Sequence, residues 1–65
     1  MDQQDVPKMV RELRADLGLT QEQFAVKIGV TVATVNRWEK DRGKPYPLAM
    51  RQLEKLRRKL KRHAI

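Results

Sequence analysis

The sequence predicts an all-α fold: one compact bundle of helices formed by residues 1–65 as a single domain. Apolar residues recur at spacings of three and four, two threonines each open a helix-start signature, and no stretch alternates with the period of a strand. Neither an internal repeat nor a low-complexity segment interrupts this pattern.

The first helix is predicted over about 6–17. Val6, Met9, Val10, Leu13 and Leu17 line one face, Asp5 and Pro7 supply the start, and Gly18 supplies a left-handed stop. Thr20 followed by Gln23 reads as a capping box. Leu19 ahead of it is placed to pack on Phe24 as a hydrophobic staple, so a second helix is predicted over about 21–28, ending at Gly29. The same start recurs with Thr31 as cap and Val30 opposite Val35, giving a third helix over about 32–40. Its Val32, Thr34 and Val35 are β-branched and poor helix formers. That helix must be held by packing of Val35 and Trp38 rather than by propensity.

Asp41 to Pro47 holds one glycine and two prolines and reads as a loop, with Gly43 as a natural stop for the third helix. Tyr46 is assigned to the edge of the core in preference to an outward, sugar-stacking position. A last helix over about 48–62 carries Ala49, Leu53, Leu56 and Leu60 on its apolar stripe, with Arg51, Lys55, Arg58, Lys59 and Arg62 beside or opposite it. Residues 1–5 and 63–65 are expected to be mobile.

A chain of 65 residues removes only about 60% of its unfolded surface from water, which excludes a second core. With 40% apolar residues it can still fold unaided. There is no cysteine, hence no disulfide framework and no thiolate metal site. No apolar run approaches the roughly 18 residues that span a bilayer, and the opening MDQQDVPK is polar rather than signal-like. A cytoplasmic protein is expected.

The formal charge is +7, and its distribution is uneven: residues 1–39 sum to −1 and residues 40–65 to +8. This points to an anionic partner, with nucleic acid ahead of an anionic membrane surface; the alternative reading is a solvated basic surface kept for solubility. Arg57-Arg58-Lys59-Leu60-Lys61-Arg62-His63 concentrates the charge; it reads either as added phosphate contacts or as a solvated helix end. An enzyme is not expected, because His63 is alone in the tail and no paired carboxylates, HExxH or glycine-rich phosphate loop occurs. No metal, cofactor or small-molecule ligand is expected either.

Two short helices joined by Gly29-Val30-Thr31 must cross sharply, which is the helix-turn-helix arrangement. In that arrangement the second of the pair protrudes and can enter a major groove. With Val35 and Trp38 turned inward, the outer positions are Val32, Ala33, Asn36, Arg37 and Lys40. Asn can pair with adenine, Arg with guanine, and Val or Ala can touch a thymine methyl, so Val32, Ala33, Asn36 and Arg37 are the candidate base readers. Two alternatives stand beside this: Asn36 and Arg37 as plain solvated residues, and Arg37 on phosphate. Gln21, in the first turn of its helix, is placed either to grip a phosphate or simply to start the helix.

Thr20-Gln21-Glu22-Gln23-Phe24-Ala25, Gly29-Val30, Thr34-Val35 and Arg37-Trp38-Glu39 together resemble the Cro and phage-repressor family of helix-turn-helix domains, often called XRE-like. The resemblance covers about residues 9–61 without a gap from Gln21 to Glu39. It implies a compact, lambda-repressor-like bundle of four to five helices that binds double-stranded DNA, and so a bacterial or phage transcription regulator acting at the nucleoid. It further implies a near-palindromic operator and a homodimer. By the same resemblance Gln21, Thr31, Lys40, Arg42 and Lys44 face phosphate, and Arg14 and Glu39 form a structural ion pair. The family often has Gln at the positions held here by Val32 and Ala33, which implies apolar readout in place of a bidentate adenine contact. Antitoxins and small adaptors share this fold, so a protein partner is the alternative function, and a basic amphipathic membrane-surface binder the third.

Overall fold

The computed structural model describes residues 5–63. It is all-helical among the described residues: α1 Val6–Leu17, α2 Gln21–Ile28, α3 Val32–Glu39 and α4 Pro47–His63. Among the described residues four helices are therefore present, at the lower end of the four to five expected.

The first three helices begin where local chemistry says they should. Asp5 caps α1 by accepting the Lys8 N–H at 3.3 Å, so this residue of the N-terminal segment is anchored. Residues 1–4 and 64–65, the remainder of the termini expected to be mobile apart from the helical His63, lie outside the described residues. At α2 the capping box is complete: Thr20 Oγ1 accepts from Gln23 N–H at 3.1 Å, and Gln23 Oε1 accepts from Thr20 N–H at 2.9 Å. Thr31 Oγ1 accepts from Thr34 N–H at 3.1 Å to open α3.

The three helices also end alike. In each, an N–H just past the helix reaches back five residues to a carbonyl: Leu19 to Arg14, Val30 to Ala25 and Arg42 to Arg37. Such a closure needs a left-handed residue immediately before that donor. Gly18 (φ +68°) and Gly29 (φ +90°) provide it for α1 and α2, but for α3 the residue is Asp41 (φ +58°), not Gly43. The stop falls two residues earlier than glycine placement predicts, and α3 closes at Glu39 with Lys40 as its cap. Helix α4 starts one residue earlier than predicted, on Pro47, whose fixed φ and missing N–H suit a first helical position.

The core consists of Met9, Val10 and Leu13 from α1, Phe24, Ala25 and Ile28 from α2, Val35 and Trp38 from α3, and Ala49 and Leu53 from α4. Leu19 and Val30, the predicted staples, are partly buried against it, as are Leu17, Leu56 and Leu60. Tyr46 does not join the core edge; it is 53% exposed, and the neighbouring Pro45 is the buried residue of this loop. Helices α3 and α4 each pack on α1 and α2. The α1 and α2 pair thus acts as a platform between α3 and the basic last helix. Among the described residues no helix is long and apolar enough to cross a membrane.

Candidate nucleic-acid interface

Only three residues separate α2 from α3, and two of them are committed to ending one helix and starting the next. Gly29 takes the left-handed conformation that closes α2, and Thr31 takes the extended conformation that caps α3. The turn is therefore specified by local chemistry. Side-chain burial sets the rotation of α3: Val35 and Trp38 face inward, leaving Val32, Ala33 and Arg37 exposed.

Asn36 differs from the other three candidate readers. It is half-buried, and its Nδ2 donates to Gln21 Oε1 at 3.4 Å. Gln21 Nε2 in turn donates to Glu39 Oε1 at 3.1 Å, and Glu39 receives Arg14 Nε at 2.8 Å and the second Arg14 nitrogen at 3.2 Å. A chain of polar contacts thus runs from α1 through the end of α3 and the start of α2 to the middle of α3. Arg11 ties down the same corner by donating to the Glu39 carbonyl at 2.8 Å. The ion pair between Arg14 and Glu39 implied by the family resemblance is present and bidentate. Its extension to Gln21 and Asn36 had no signal in the sequence, because these residues meet only after the helices cross.

Electrostatics at this corner are balanced finely. Burial pushes the Glu39 carboxyl up, but hydrogen bonds from Arg14 and Gln21 and the charges of Arg14 and Arg11 more than compensate and hold it below the usual carboxylate range. The Arg14 guanidinium is pushed up, chiefly by its hydrogen bond to Glu39.

The residues implied to face phosphate are placed as follows. The Gln21 side chain is engaged within the protein. Among the described residues the backbone N–H groups of Gln21 and Glu22, by contrast, meet no protein acceptor, since the capping box serves Thr20 and Gln23. Thr31 is exposed, with its hydroxyl occupied by Thr34 N–H and the Thr34 hydroxyl at 2.8 Å. Lys40, Arg42 and Lys44 are all exposed and follow one another around the end of α3. The Arg37 side chain passes over Gly43: a Cβ added there would stand 3.9 Å from Arg37 Nε.

The basic last segment sits elsewhere. Arg57, Arg58 and Lys59 are exposed on α4, which packs on α1 and α2, and Arg57 leans toward Met9 Sδ at 4.0 Å. The side chains of residues 61–63 lie outside the described set.

The helix-turn-helix family profile matches residues 10–60, most of the chain. An archaeal protein of Methanothermobacter thermautotrophicus, named an uncharacterized HTH-type transcriptional regulator, is 49% identical over 37 residues. That match covers 57% of this chain and 54% of the archaeal one, so the chain spans about half the length of the curated relative. No solved structure matches the chain.

Proposed function

Because the chain belongs to the helix-turn-helix family of the Cro and phage-repressor type, we propose that it binds double-stranded DNA sequence-specifically and regulates transcription, with α3 in the major groove. The observation that carries this reading is the division of α3: Val35 and Trp38 are buried while Val32, Ala33 and Arg37 are exposed on the opposite side. A major groove about 12 Å wide admits one such helix.

Roles then divide by chemistry. Val32 and Ala33 touch thymine methyls, Arg37 reads guanine, and Asn36 presents its remaining amide atoms to a base edge. Lys40, Arg42 and Lys44 hold the phosphate backbone beside the C-terminal end of α3. At the N-terminal end of α2, the unpartnered N–H groups of Gln21 and Glu22 receive a phosphate, aided by the helix dipole. The main chain takes the role that the family resemblance implies for the Gln21 side chain, and that side chain positions Asn36 instead. A homodimer would set two α3 helices about 34 Å apart on a near-palindromic operator in the cytoplasm.

Selection of bound sites from random duplex DNA, repeated with Asn36→Ala and Arg37→Ala, tests this assignment. Each variant should lose preference at one or two base positions while keeping weak, salt-sensitive binding. Unchanged preference in both variants would remove α3 from the readout.

A further inference from the structure

A groove of about 280 Å³ opens between the end of α2 and the outer side of α4, lined by Lys27, Ile28, Gln52, Lys55, Leu56 and Lys59. None of its residues belongs to α3 or to the loop that follows it. Ile28 and Leu56, which belong to or pack against the core, form an apolar floor. Lys27, Lys55 and Lys59 are exposed around it, and among the described residues none of the three is ion-paired. Three like charges thus rim apolar surface, each without an ion pair among the described residues.

The face extends along α4. Leu48, Gln52, Lys55 and Lys59 follow at intervals of four, three and four, so they share one side of that helix. Leu48 is 59% exposed, a large apolar side chain left in water on the same side as the lysines. From Leu48 to Lys59 the side runs about 17 Å, three helical turns.

We propose that this groove is a docking site for a protein partner, and that the docked segment is an acidic amphipathic helix of about a dozen residues. The complementarity selects that occupant. Carboxylates on the segment meet Lys27, Lys55 and Lys59, and its apolar side chains cover Ile28, Leu56 and Leu48. A nucleic-acid backbone would satisfy the lysines but offers nothing to the apolar floor, and so explains half of the surface. This inference does not depend on α3 reading DNA.

The test is an amide chemical-shift titration of the full chain, free of DNA. The probe is an acetylated peptide of about twelve residues with leucines at i, i+4 and i+7 flanked by glutamates. Shifts should concentrate on Lys27, Ile28, Gln52, Lys55 and Leu56. Affinity should drop at least about tenfold in the Lys27→Glu and Lys55→Glu variants, each checked by circular dichroism for an unchanged helical spectrum, while duplex DNA binding changes by less than about twofold. Where a charge reversal unfolds the chain, Lys27→Gln and Lys55→Gln replace it, with a smaller loss expected. Shifts that are absent or scattered over the surface would overturn the proposal. So would random-sequence duplex DNA moving the same amides and losing binding equally in these variants, which would make the groove a phosphate surface.

Discussion

Replacing Glu39 with Leu while leaving Arg14 in place should be among the most damaging single changes available outside the apolar core. The Glu39 side chain is only 7% exposed and holds three hydrogen bonds, two from Arg14 and one from Gln21. Breaking a fully buried pair by removing one partner costs about 3–5 kcal/mol. Arg14 is 27% exposed and keeps a second acceptor, the Leu19 carbonyl at 3.3 Å, so the cost here is nearer about 2–3 kcal/mol. At about 0.05–0.15 kcal/mol per residue, a 65-residue chain has about 3–10 kcal/mol in total. The variant should therefore melt about 10–20 °C lower, followed by circular dichroism at 222 nm. Replacing both partners, Arg14→Met with Glu39→Leu, removes the stranded cation and should recover to within about 1 kcal/mol of the parent. Should the double variant be as unstable as the single one, the loss would come from packing and not from an orphaned charge. The pH dependence supplies a second check. Because the folded carboxyl lies below its unfolded value of about 4.3, its contribution is complete above that pH and is lost as the pH falls through the lower folded value. Melting curves from pH 7 to pH 3 should fall on the acid side, and Glu39→Gln should flatten that fall. An equally steep fall in Glu39→Gln would mean that other carboxylates carry it.

Further outcomes follow from the helix ends and the basic loop. Asp41→Gly should raise stability by about 1 kcal/mol in a denaturant titration, since an L-residue is strained at φ +58° and a carboxylate opposes the helix dipole there. Gly43→Ala should change stability by less than about 0.5 kcal/mol, because no left-handed angle or tight approach requires glycine, whereas Gly29→Ala should cost about 1 kcal/mol or more at φ +90°. Thr20→Ala removes one half of the capping box and should cost about 1 kcal/mol by the same titration. Arg42→Ala and Lys44→Ala should each lower the slope of log affinity against log salt by about one on random-sequence DNA, leaving the selected site unchanged.

What was legible in the sequence is what depends on neighbours in the chain. Asp5, Thr20 and Thr31 start their helices, and Gly18 and Gly29 stop theirs, through contacts spanning three to five residues. Heptad-scale spacing was enough to turn Val35 and Trp38 inward and Arg37 outward. The end of α3 lies within a residue of the expected one, but its left-handed stop is Asp41 and not Gly43: glycine is the commonest left-handed residue, yet Asp also tolerates that conformation, and Asp41 stands where the Arg42 N–H can reach the Arg37 carbonyl. Tyr46 was misjudged by residue type: its ring is the larger apolar body, but the turn leading into α4 buries Pro45 instead. The polar chain through Gln21 joins residues 15 to 25 positions apart, and no local spacing encodes such contacts.

That polar chain has a direction. A carboxylate can only accept, so Glu39 compels the Gln21 carboxamide to turn its NH₂ inward and its oxygen toward Asn36; Asn36 must answer with its own NH₂. Two amides that could each flip by half a turn are thereby held to one orientation by a negative charge at the end of α3, itself anchored by Arg14 of α1. Asn36 is left with its oxygen and one N–H for any outside group, an ordered acceptor and donor pair whose handedness is written by Glu39. Neutralising that carboxylate would restore the ambiguity, allowing the surface to present its donor and acceptor in either order.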